Sequence, residues 1–159
     1  MELWDAYDKN FNKISGTTLI RGKAIPAGCF HLVCDILVRH TDGSYLLMQR
    51  DKRKKFGGMW EASAGGAALK NESPLECAVR ELHEETGIKS DDLTEVGQVT
   101  ANRTIYVEYL CETACKKDDI TLQDGETIAY KWVSREELLS MPKNKLLTER
   151  IQKFIDELK

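Results

Sequence analysis

The stretch Gly66-Ala67-Ala68-Leu69-Lys70-Asn71-Glu72-Ser73-Pro74-Leu75-Glu76-Cys77-Ala78-Val79-Arg80-Glu81-Leu82-His83-Glu84-Glu85-Thr86-Gly87-Ile88 carries both a helix and a chemical anomaly. Ser73-Pro74-Leu75-Glu76 reads as a helix start: a Ser N-cap, Pro at the first helical position, and Glu three residues on to complete a capping box. Gly87 reads as the stop, in the left-handed conformation that glycine adopts without penalty. Leu75, Val79 and Leu82, helped by Ala78, are expected to form the buried stripe. Glu81, Glu84 and Glu85 stand at i, i+3 and i+4, so their side chains project together and repel. That arrangement makes sense if a cation sits among them, and three carboxylates suit Mg²⁺ or Mn²⁺ far better than zinc. Arg80, four residues before Glu84, is placed to hold that carboxylate, and Gly65-Gly66 lets backbone approach a ligand.

Working outward, no internal repeat, low-complexity tract or linker interrupts the chain. Leu3–Tyr7 and Lys13–Ile20 flank the turn-rich Asp8-Lys9-Asn10-Phe11-Asn12 and predict an opening hairpin within residues 1–28. Phe30–Val38 reads as a nearly continuous apolar central strand, turned by Thr41-Asp42-Gly43-Ser44 into Tyr45–Arg50. A loop at Asp51–Gly58 leads to a short strand at Met59–Ser63 and then to the helix. Further strands are expected at Leu93–Thr100, Ile105–Glu112 and Thr127–Val133. Ser134-Arg135-Glu136-Glu137 reads as a second capping box, closed by Pro142. Leu147, Ile151, Phe154, Ile155 and Leu158 predict an amphipathic C-terminal helix. Strands and helices mix without regular βαβ alternation, so an α/β (α+β) domain with a mixed sheet between helices is expected over residues 1–159.

Composition narrows the function classes. With 159 residues, 42% of them hydrophobic, the chain suits one globular domain. A net charge of −3 gives no global basic field to recruit nucleic acid or anionic membrane. No apolar stretch approaches a membrane span, and Met1-Glu2-Leu3-Trp4-Asp5 does not read as a signal peptide. Cys29, Cys34, Cys77, Cys111 and Cys115 are odd in number and contain no Cys-x-x-Cys pair, which reads as reduced thiols in a cytoplasmic protein.

The helical stretch resembles the Nudix box, Gly-x5-Glu-x7-Arg-Glu-U-x-Glu-Glu-x-Gly-U with U aliphatic. Gly66, Glu72, Arg80, Glu81, Leu82, Glu84, Glu85, Gly87 and Ile88 fill its defined positions over residues 66–88. With seven positions fixed by identity, a chance match is on the order of one in a billion per start position. The resemblance covers roughly residue 29 to the C-terminal helix and implies the Nudix-type α/β/α sandwich. It implies divalent metal at Glu81, Glu84 and Glu85, with Gly65 or Gly66 lending a backbone carbonyl. Glu84 or Glu85, or Glu126 in a loop outside the box, would take a proton from the attacking water, while Glu72 and Arg80 brace the motif. Arg50 and the run Lys52-Arg53-Lys54-Lys55 precede the strand leading into the acid site. Arg50, Arg53, Lys54 and Lys55 are therefore candidate phosphate contacts. His31, His40 and His83 show no ligand spacing and read as structural or exposed.

The resemblance implies a Mg²⁺-dependent hydrolase, with Mn²⁺ as the alternative ion, that splits a diphosphate linkage in a nucleoside diphosphate joined to another group. The expected partner is that small molecule; association as a homodimer is left open. Two competing readings follow from the same residues. Leu3–Asn10, Thr18–Gly22 and Met59–Gly66 resemble the isopentenyl-diphosphate isomerase branch of the superfamily, yet Gly65 and Ala67 stand where the isomerase cysteine and histidine would fall. A nucleotide-sensing module without turnover would be expected to lose box glutamates, and none is lost here.

Overall fold

A computed structural model describes residues 1–157; Leu158, expected on the last helix, lies outside them. The chain runs β1 (Leu3–Tyr7), β2 (Lys13–Ile20), β3 (His31–His40), β4 (Tyr45–Arg50), β5 (Trp60–Glu61), β6 (Ala64–Ala67), α1 (Pro74–Thr86), β7 (Leu93–Ala101), β8 (Thr104–Thr113), β9 (Thr127–Val133), α2 (Arg135–Leu139) and α3 (Arg150–Glu157). β1 and β2 form a separate hairpin, and the other strands form one sheet. β3 pairs in parallel with β8 from His31↔Thr104 to His40↔Thr113, whereas its pairings with β4 and β6 are antiparallel. The sheet is thus mixed, as the sequence predicts.

Period-two alternation builds a core on each side of the sheet. Leu32, Cys34, Ile36 and Val38 of β3, with Leu46 and Met48 of β4, meet Cys77, Ala78 and Leu82 of α1. Leu37, Tyr45, Leu47 and Leu110 face the other way, against Leu138 of α2 and Ile151 and Ile155 of α3. A sheet with helices on both faces results. Gly97 on β7 lets Phe154 of α3 close in, since a Cβ there would overlap the ring.

The site arises where the sheet divides. β4 keeps only the pairs Val38↔Leu46 and Arg39↔Tyr45 with β3, and β6 takes over from Val33 to Ile36. The strand expected over Met59–Ser63 is therefore reduced to β5 (Trp60–Glu61) on β4, and Ala64–Ala67, not expected as a strand, forms β6 on β3. Buried Ser63 occupies the parting: its hydroxyl accepts from the Val38 N–H (2.8 Å) and donates to the Leu46 carbonyl (2.6 Å). The hairpin is fastened alongside. Tyr7 pairs with Phe30, and the Asp5 carboxylate accepts from the Asn71 N–H at 2.7 Å. Among the described residues no helix is long and apolar enough to cross a membrane.

Candidate active site

Helix α1 begins and ends as its sequence dictates. The Ser73 hydroxyl accepts from the Glu76 N–H, and the Glu76 carboxylate accepts from the Ser73 N–H, closing the capping box. Gly87 adopts φ 80° and returns its N–H to the His83 carbonyl. Its buried face, however, is turned from the expected one. Cys77, Ala78, Glu81, Leu82 and Thr86 are buried, while Leu75 is 41% exposed and Val79 only half-buried. The reason lies in β6: Gly65 and Gly66 have no side chains, so Glu81 and Glu85 can turn inward against that strand. A Cβ on Gly66 would overlap the Glu81 carboxylate.

Arg80 organises the motif. It donates to both oxygens of Glu72 (2.7 and 2.9 Å), to the Ala67 carbonyl (3.2 Å), to Glu81 (2.7 Å) and to Glu84 (3.3 Å). The bidentate Glu72 pair, a strong geometry, leads the partners that hold its guanidinium firmly charged. Glu84 is exposed, but Glu81 and Glu85 are not. Burial first, then the neighbouring carboxylates of Glu81, Glu61 and Glu126, pushes the Glu85 carboxyl up to about 9. Its Oε2 accepts from the Gly65 N–H at 3.3 Å. Glu81 is likewise raised by burial, partly offset by Arg80.

The basic run divides. Lys54 pairs with Glu126, bringing residues far apart in sequence together beside Glu85. Arg50 pairs with Glu61 at 3.0 Å and also lines the cleft. Arg53 instead folds back on Asp51 through two bonds (2.9 and 2.6 Å), and Lys55 lies over the Phe56 ring at 5.1 Å. Neither Arg53 nor Lys55 lines the cleft that holds Glu85. Four residues that sequence reasoning did not single out do line it: Glu61, Asp35, Arg150 and Trp4. Asp35 had a signal, as a carboxylate inside an apolar strand, while Arg150 had no local one. His31, expected to be structural or exposed, stacks on Trp4 with ring centroids 4.4 Å apart and lines the hairpin side.

The donor set suits a hard cation. Glu81, Glu84 and Glu85 offer carboxylate oxygens, and Gly65 lies against Glu85. The burial and neighbouring carboxylates that raise the Glu85 carboxyl disfavour a charge that a divalent ion would stabilise. Among the described residues no three acidic, imidazole or thiol groups are already gathered round one point; Arg80 holds Glu81 and Glu84, and Lys54 holds Glu126.

A box helix capped at both ends, its glutamates turned onto a glycine strand and an α/β/α sheet behind them, defines a Nudix domain. The NUDIX domain family matches residues 30–158. The chain belongs to the Nudix family, and it is a pyrophosphohydrolase of the Nudix type. It is 32% identical over 145 residues to an uncharacterized Nudix hydrolase of Listeria monocytogenes, covering 87% of this chain and 83% of the relative. It is 28% identical over 141 residues to an isopentenyl-diphosphate Delta-isomerase of Corynebacterium diphtheriae, covering 81% of this chain and 77% of that one. The crystal structure of DR0079 from Deinococcus radiodurans superposes with a TM-score of 0.78 at 17% identity, covering 98% of both chains. The hairpin thus precedes the family match but belongs to a fold seen elsewhere.

Proposed function

We propose that this Nudix enzyme uses Mg²⁺, with Mn²⁺ able to substitute, to hydrolyse a diphosphate linkage in a nucleoside diphosphate joined to another group. The observation that carries this reading is the juxtaposition of Glu81 and Glu85, turned inward against Gly65 and Gly66, with Lys54 and Arg50 in the same cleft. Glu81, Glu84 and Glu85, with the Gly65 carbonyl, would hold the metal, which when bound neutralises phosphate charge and acidifies water. Lys54 and Arg50 offset the remaining phosphate charge from the facing wall. Arg80, pinned by Glu72, keeps Glu81 and Glu84 aligned. Glu84, Glu85 and Glu126 are the candidates to accept the proton of the attacking water.

Metal binding has a readout independent of turnover. Mg²⁺ should raise the melting temperature, because it binds the native carboxylates and not the unfolded chain. A Glu81→Ala/Glu85→Ala double variant should show no such shift in the same thermal scan. Equal stabilisation of both proteins would put the ion elsewhere.

The similarity to an isomerase favours one competing reading, and the geometry at Gly65 weighs against it. A Cβ on Gly65 would lie 2.6 Å from Asp35 Oδ1, so the position where the resembling isomerases carry cysteine has no room for a side chain unless Asp35 moves. Incubated with Mg²⁺ and isopentenyl diphosphate, the protein should form no dimethylallyl product by chromatography. Conversion at an enzymatic rate would overturn the hydrolase reading.

A further inference from the structure

The cleft has two arms that share a central strip of Lys54, Gly65, Gly66, Glu85 and Glu126. One arm, about 400 Å³, is walled by Trp4, Arg21 and His31 on the hairpin side. The other, about 200 Å³, is walled by Leu147, Thr148 and Arg150 together with Asp35, Glu61 and Arg50. Ligand sites for drug-sized molecules run roughly 300–1,000 Å³, so the first arm suits a nucleoside and the second a smaller group. A diphosphate on the central strip would place one substituent in each.

The smaller arm is rigidly built. The Leu147 N–H donates to the Trp60 carbonyl and the Trp60 N–H to the Lys145 carbonyl, both at 2.8 Å, which lashes the wall to β5. Arg150 is clamped between Asp35 (2.9 Å) and Glu108 (3.2 Å), with its guanidinium carbon 3.8 Å from the centre of the Tyr106 ring. Those bonds use Nη2 and Nε; Nη1 makes none among the described residues. Both N–H donors of Nη1, on a fixed fork, therefore remain for a ligand. Beside them stand acceptor carboxylates of Asp35 and Glu61 and the hydroxyl of Thr148.

Donors and acceptors interleaved in this way match a group whose polar atoms both donate and accept. Hydroxyls do so. A further phosphate would face the carboxylates of Asp35 and Glu61, and an isoprenoid chain would bury the Arg150 Nη1 donors without a partner. We infer that the smaller arm holds a compact hydroxyl-rich group, so that the substrate is a nucleoside diphosphate sugar and Arg150 determines that specificity. This inference rests on the hydrolase reading of the same cleft.

The test compares ADP-ribose and UDP-glucose with ATP and UTP, using the full chain with Mg²⁺, as parent, Arg150→Met and Arg150→Lys. The parent should prefer the sugars in kcat/KM. That preference should fall at least tenfold in both variants, mainly through KM. Arg150→Lys should keep the parental melting temperature, since its charge still answers Asp35 and Glu108, yet fail to restore the preference. A parent preference for triphosphates, full restoration by lysine, or an equal loss on sugars and triphosphates overturns the inference. If the parent hydrolyses nothing, the hydrolase reading fails, and calorimetry without metal then decides on the arm. ADP-ribose should bind at least tenfold tighter than ADP, with the advantage lost in Arg150→Lys, and equal affinities overturn it.

Discussion

A Glu85→Gln variant is expected to lose at least about a hundredfold in turnover, equivalent to about 2.7 kcal/mol of transition-state stabilisation, while remaining folded. Glutamine keeps the volume and can still accept from the Gly65 N–H, so the packing of α1 on β6 survives. What is lost is the charge that would hold metal beneath the diphosphate. Glu84→Gln should show a comparable loss from a different position, since Glu84 is exposed at the mouth and Glu85 is enclosed. Near-normal steady-state rates in both would remove the box from the mechanism.

The same substitution predicts a pH effect in metal-free protein. The Glu85 carboxyl is raised from 4.5 to about 9 in the folded state, so folding favours its protonated form. Its contribution to stability is fully present below pH 4.5 and drains away as pH rises toward about 9. Glutamine has no proton to lose. The decline in melting temperature across that window should be shallower in the variant than in the parent.

Leu82→Asp should unfold the protein or cost about 3 kcal/mol or more, because an unpaired carboxylate would be forced into an apolar core. Leu82 is fully buried in the cluster between α1 and the sheet. His83, one residue on, is exposed, and His83→Ala should leave the urea midpoint nearly unchanged. Leu75→Asp extends the comparison, since Leu75 is 41% exposed and should tolerate the charge. A severe loss from Leu75→Asp with a mild one from Leu82→Asp would mean that α1 presents the other face.

Those two leucines mark where reading the sequence stops. Both fit a helical stripe, and periodicity alone admits either edge of it. Which edge is buried was decided by Gly65 and Gly66 on another element, whose bare backbone lets Glu81 and Glu85 face inward. The basic run posed the same difficulty. Arg50, Arg53, Lys54 and Lys55 are equivalent as charges, yet Arg53 is spent on Asp51 two residues away, while Lys54 meets Glu126 across 72 positions.

Local chemistry alone determined a good deal. The caps at Ser73 and Gly87, the stacking of three glutamates, the hairpin strands Leu3–Tyr7 and Lys13–Ile20, and the family all depend on residues a few positions apart. Spacing of that kind is written directly into the chain, because a helix or hairpin closes its bonds among near neighbours. The second arm of the cleft had no such trace. Arg150 reaches Asp35 across 115 positions, and Ser63 bridges β3 and β4 where they part. Contacts of that range impose no period on either segment, so it took the packed sheet, with α3 laid against its far face, to decide what stands opposite the glutamates.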